Sequence, residues 1–198
     1  MFDWITGNQA ATAVHGNRCA RKRFYFHYFP ILSLCLFLFA SYSALVHAEQ
    51  PSEYRLKAAF LYNFFIYTEW PNLPDQTLNL CIYGEDPFGE NLQYVKSRKA
   101  HEREIVVRHT KNVDDLSGCQ VVFISKSHIA NLGSIMKRLG GLPILTIADV
   151  PDVGQQGVIL NMAIKEGKIT FEANLAATKR NGLKLSSQLL RFATKVYQ

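Results

Sequence analysis

Short β-branched and apolar runs alternate with segments that carry helix start and stop signals, and this alternation limits the possible folds more than any other feature of the chain. Residues 78–83 read as a strand, after which Asp86 caps and Pro87 opens a helix through about Val95. Residues 105–107, 120–124 and 143–147 read as further strands, and Ser127 caps a helix that stops at Gly140-Gly141. Such short strands, spaced by helices, belong to a largely parallel sheet covered on both faces. The pattern then changes, because residues 157–162 and 168–172 flank Lys165-Glu166-Gly167, a hairpin turn. The expected fold is therefore α/β: a single domain with a Rossmann-like mixed sheet, mostly parallel, an antiparallel hairpin at one edge, and flanking helices.

Two helical segments frame that sheet. Residues 53–70 read as a helix with Ser52 as N-cap and Pro71 as its stop. Its centre is apolar nearly all round, through Phe60, Leu61, Phe64, Phe65 and Tyr67, so it is either largely buried or offers an aromatic surface to a partner. A membrane span is excluded there by length, since Lys57 and Glu69 bracket too few residues. After the hairpin, Asn174 caps a last helical region that breaks near Asn181-Gly182 and resumes over 186–197, with Leu189, Leu190, Phe192 and Val196 as its apolar face.

The first 48 residues read as a signal peptide, with an uncleaved anchor helix as the alternative. Arg21-Lys22-Arg23 precede an apolar run over residues 24–40, and Val46-His47-Ala48 supplies a small-residue cleavage site. Residues 49–198 are then one exported domain of a length that supports a proper core. The chain's net charge of +6 depends partly on the leader, which carries Arg18, Arg21, Lys22 and Arg23 against Asp3. The remaining basic excess is too small to argue for nucleic acid. Cys19 and Cys35 leave with the leader, so the exported domain holds Cys81 and Cys119. They form either a disulfide, which export permits, or two buried thiols.

No residue pattern announces catalysis. The Gly84-Glu85-Asp86-Pro87-Phe88-Gly89 turn lacks phosphate-loop spacing, and its two carboxylates would repel a phosphate. Ser125, Ser127 and His128 follow the third strand without a nucleophile-elbow motif, so capping explains them better than hydrolysis. His101, His109 and His128 share no metal-ligand spacing. The Asp114-Asp115 pair and Asp149 with Asp152 lie where turn chemistry alone would put them. The expectation is a protein with no enzyme activity, no catalytic residues, no metal and no cofactor.

In order along the chain, several blocks resemble the YfiR family of periplasmic regulators. The opening helix, Lys57-Ala58-Ala59-Phe60-Leu61-Tyr62-Asn63-Phe64 followed by Glu69-Trp70-Pro71, resembles the family's start. Cys81 with the Asp86-Pro87-Phe88-Gly89 turn, Cys119 before Val121-Val122-Phe123-Ile124-Ser125, Pro143-Ile144-Leu145-Thr146, and Ile169-Thr170-Phe171-Glu172-Ala173-Asn174 with Gly182-Leu183-Lys184-Leu185 resemble its later blocks. The resemblance covers residues 53–196; its specificity lies in the order of the blocks.

The resemblance implies a non-enzymatic repressor that binds the periplasmic domain of an inner-membrane diguanylate cyclase of the YfiN type, lowering cyclic di-GMP and restraining biofilm formation. It further implies a homodimer and an outer-membrane lipoprotein of the YfiB type as antagonist, with no nucleic-acid partner. Cys81 and Cys119 match the family's structural disulfide, and Glu172 matches an acidic residue that contacts the cyclase. A second family disulfide has no counterpart, because no cysteine follows Cys119. Phe64 and Trp70, on the aromatic helix, are the other candidate partner-binding residues. The alternative reading is a periplasmic small-ligand sensor, working with another membrane sensor protein and binding its ligand in the cleft at the strand ends.

Overall fold

A computed structural model of the protein describes residues 53–74 and 76–198; the expected signal peptide and the Ser52 cap lie outside the described residues. Helix α1, Glu53–Ile66, leads into strand β1, Thr68–Glu69. The helix ends before Pro71 because β1 pairs antiparallel with β9, Lys184–Leu185, and that pairing requires extended backbone. Strand β2, Thr77–Tyr83, reaches a turn in which Asp86 Oδ1 accepts from the Phe88 and Gly89 amides at 2.8 and 3.2 Å. The expected helix is a 3-10 turn, Gly89–Leu92, running into α2, Gln93–Lys96.

Next come β3, Lys99–Ala100, and β4, Arg103–Thr110, which is much longer than its apolar centre suggests. Strand β5, Val121–Ile124, is followed by a 3-10 segment, Lys126–Asn131, then α3, Leu132–Leu139, and β6, Leu145–Ala148. Ser127 is not the helix cap expected of it. Its hydroxyl instead accepts from the Glu85 amide at 3.0 Å, tying the β5 loop to the β2 loop. Strands β7, Leu160–Lys165, and β8, Lys168–Asn174, form the hairpin. Asn174 caps α4, Leu175–Arg180, by accepting from the Ala177 amide at 2.8 Å.

The last segment departs from its expected helix. Only α5, Ser187–Leu190, is helical, and Lys195–Tyr197 form strand β10, parallel to β8. Thr194, Val196 and Tyr197 favour extended backbone, and the outer edge of β8 offers unpaired amides and carbonyls to receive it.

The main sheet has the order β10-β8-β7-β6-β5-β2-β4-β3. Strands β4, β2, β5, β6 and β7 run parallel, and the hairpin stands towards one end with β10 outside it. Both faces are covered. Beneath α1 and α2 lie Leu61, Phe64, Phe65, Leu92, Val95, Phe123, Phe171 and their neighbours. Beneath α3 lie Val122, Ile124, Leu132, Ile135 and Leu139. Cys81 in β2 and Cys119 just before β5 are joined by a disulfide across this second layer, with 6.0 Å between Cα atoms.

Candidate functional site

Doubly wound sheets place ligands where the strand order reverses, outside the carboxyl ends of the strands. Here that point lies between β2 and β5, because β4 flanks β2 on one side and β5 on the other. It is filled by the protein itself. Gly84, at φ +102°, leaves the room that the Ser127 hydroxyl and the His128 ring occupy, and a β-carbon there would stand 2.6 Å from His128 Nδ1. Ser127 Oγ lies 3.0 Å from that same nitrogen and donates to Ser125 Oγ at 3.3 Å. The imidazole packs edge-on against Tyr83, and no carboxylate orients it among the described residues. The cluster holds two loops together and lacks the orienting third group of a serine–histidine catalyst.

Beside it, α1 is pinned to the end of β6. Lys57 Nζ lies 2.6 Å from Asp149 Oδ2, both side chains are 4% exposed, and Glu53 completes the pairing of the ammonium. The Tyr54 hydroxyl donates to the same carboxylate oxygen at 3.1 Å. Burial pulls the Lys57 pKa down, but the hydrogen bonds to Asp149 and Glu53 outweigh it and leave the value raised. Burial and the Asp149 charge likewise raise the Tyr54 phenol. Charges so completely paired are suited to fixing a helix, not to transferring protons.

Surface chemistry is concentrated elsewhere. An apolar groove of about 360 Å³ runs between α1, β8 and α5, lined by Phe60, Tyr67, Ile169, Leu189 and Phe192 among others. Phe192 is 74% exposed. Phe64 forms the floor of this groove but is fully buried, stacked edge-on with Phe60 and Phe171. Its place is in the core, as the apolar circumference of the helix allowed. Trp70 is 9% exposed and packs against Phe65 and His101, away from the groove. Glu172 points to the opposite face of β8 from Phe171, where it accepts from the Tyr197 hydroxyl at 2.9 Å. The three residues singled out in the sequence are thus not gathered into one site.

A second cleft, of about 690 Å³, is bordered by Gln155, Gln156, Arg180, Lys195 and Tyr197. It does not lie at the carboxyl ends of the parallel strands, where the sequence places a ligand cleft, but at the opposite rim of the sheet, where the antiparallel β8 and its neighbour β10 finish and before β7 begins. The sequence does not reveal it, because Leu189, Leu190, Phe192 and Val196 read as one helical face running through residue 197. No local signal marks that strand, because Lys195–Tyr197 is only three residues long and is drawn out by the open edge of β8.

A family model described as YfiR/HmsC-like matches residues 54–194, essentially all of the described chain. The chain belongs to the YfiR/HmsC-like family. This membership supports, in general terms, a periplasmic regulator of cyclic di-GMP signalling, and the family is a regulatory, non-catalytic one. No helix among the described residues is long and apolar enough to cross a membrane. Among solved structures, the chain is similar to a conserved domain protein from Vibrio cholerae O1 biovar El Tor, at 10% identity and a TM-score of 0.47, over 73% of this chain and 60% of that one. It is also similar to an ABC domain in complex with L-Trp from Streptococcus pneumoniae, at 7% identity and a TM-score of 0.44, over 61% and 55% of the two chains. The YfiR/HmsC-like chain therefore spans less than two thirds of the length of each.

Proposed function

We propose that the protein is a periplasmic repressor that binds the periplasmic domain of an inner-membrane diguanylate cyclase and holds it inactive, thereby controlling cyclic di-GMP and biofilm formation. Residues 1–48 serve as its signal peptide. The observation that carries this reading is the aromatic groove between α1, β8 and α5, where Phe192 stands mostly in water beside Phe60 and Tyr67. A large exposed aromatic side chain next to a shaped apolar groove is the arrangement that protein interfaces use as an anchor. Glu172, on the other face of the same strand, offers a separate contact outside the groove, and Trp70 supports the fold of the α1 end from beneath. The working unit is a homodimer, and an outer-membrane lipoprotein competes with the cyclase for it.

The test is capture from living cells. The protein, tagged and expressed from its whole gene, is crosslinked in the envelope, purified and its companions identified by mass spectrometry. A membrane cyclase with a periplasmic domain is expected, and deleting the gene should raise cyclic di-GMP. Capture without any cyclase, together with unchanged cyclic di-GMP in the deletion strain, overturns the reading.

A further inference from the structure

The cleft beside β10 has a one-sided lining. Arg180 and Lys195 face it, Gln155, Gln156 and Gln198 add amide groups, the backbone carboxylate of Gln198 stands at its border, and no Asp or Glu side chain lines it. Neither cation is paired among the described residues, whose ion pairs involve Lys57, His109 and Arg138. The nearest carboxylate, Glu172, is the cross-strand neighbour of Lys195, yet its Oε2 is engaged by the Tyr197 hydroxyl. Lys195 instead rests its ammonium over the Tyr197 ring, 4.6 Å from the centroid.

The walls are fixed by buried contacts. Asn174 closes the base, accepting from the Ala177 amide and donating to the Gly154 carbonyl, each at 2.8 Å. Gly154 admits Glu172 and Tyr197, whose atoms lie 3.0 Å from where its β-carbon would be. Gly157, at φ +104°, leaves the guanidinium of Arg180 close by, with Nη2 3.6 Å from the corresponding point. Two glycines and a buried asparagine therefore shape a pocket of small-molecule size around two cations that form no ion pair among the described residues.

We infer that this cleft binds a small organic anion carrying a carboxylate or phosphate group. Arg180 holds two of its oxygens in the planar fork that suits such groups, and Lys195 supplies the second charge. The inference does not depend on the cyclase partner, since it rests on the cations of the cleft itself, although Glu172 bonds Tyr197 at the cleft's edge.

Calorimetric titration of the purified full-chain protein with citrate and, separately, with inorganic phosphate tests it. Saturable binding of at least one is expected, and the stronger of the two identifies the preferred head group. Arg180→Gln and Lys195→Gln should each weaken it at least tenfold, while Lys179→Gln, next to the cleft but outside its lining, should not. Arg180→Lys keeps the charge and loses the fork, so it too should weaken binding. Both cations are exposed, and circular dichroism checks that the variants stay folded. Lack of saturation with either anion overturns the inference. So does binding that Arg180→Gln and Lys195→Gln leave unchanged, or that Lys179→Gln reduces equally, which would mean only general attraction to a basic surface.

Discussion

Lys57 and Asp149 lie 92 positions apart in sequence yet meet at 2.6 Å, and their contact fastens the first helix to the end of the central strand β6. Both side chains are almost fully covered, so neither charge can fall back on water if the other is removed. Lys57→Met should therefore cost about 3–5 kcal/mol, the usual consequence of stranding one buried charge. The double variant Lys57→Met with Asp149→Leu should cost clearly less than the two single changes added together. Urea unfolding of the three proteins measures this; strict additivity would mean that the pair is not coupled.

The same contact gives the alkaline limb of stability a definite sign. Lys57 and Tyr54 both have folded-state pKa values raised above their ordinary ones, through hydrogen bonds to Asp149 and Glu53 that overcome burial for the lysine, and through burial and the Asp149 charge for the tyrosine. A raised value means that the folded state holds its proton more tightly than the unfolded chain. That contribution is complete below the unfolded values, about 10 for both groups. It is lost as pH climbs through the folded ones. Stability should thus fall above roughly pH 10 more steeply in the natural protein than in a Tyr54→Phe, Lys57→Met variant. Parallel curves for the two proteins would refute the assignment.

The Cys81–Cys119 bond staples β2 to the segment entering β5. Replacing both cysteines by serine should lower stability by about 2–5 kcal/mol, mostly by freeing the unfolded chain. An unchanged melting midpoint under oxidising conditions would show that the bridge does not form in the exported protein.

Phe64 and Phe192 separate packing from recognition. Phe64→Ala empties a buried aromatic site and should cost about 3–5 kcal/mol. Phe192→Ser removes a side chain that is 74% exposed and should change stability by less than about 0.5 kcal/mol. If the groove is the docking surface, Phe192→Ser nevertheless weakens cyclase binding at least tenfold, about 1.4 kcal/mol. Normal binding by that variant would move the interface elsewhere, with Glu172→Lys the next to examine. Tyr197→Phe then tells whether Glu172 acts directly or by holding β10.

How much of this was legible in the sequence depended on whether the signal was local. The β2 turn announced itself because Asp86 and Pro87 act within a few residues, and Asn174 was a readable cap for the same reason. The disulfide was readable as a possibility, and resemblance selected it. The β10 strand was not readable, since a three-residue strand is made by the open edge of β8 more than by its own propensity. The partners of Ser127 were hidden too. Its hydroxyl is claimed by a loop 42 positions earlier, and only the chain path brings that loop near.

Gly84 offers the sharpest test of that last arrangement. Its φ of +102° disfavours any side chain, and a β-carbon would stand 2.6 Å from His128 Nδ1 and 2.7 Å from Ser127 Oγ. Gly84→Ala thus combines backbone strain with overpacking, each of which costs about 1–3 kcal/mol. The two can be separated, because His128→Ala clears part of the space without altering the backbone. In a double-mutant cycle, Gly84→Ala should cost less in the His128→Ala background than alone, and what remains is the strain together with the Ser127 contact. Equal costs in both backgrounds would mean that the ring does not press on the turn, and that the β2 and β5 loops are held together by hydrogen bonds such as Glu85 to Ser127 and Ser125 to Tyr83.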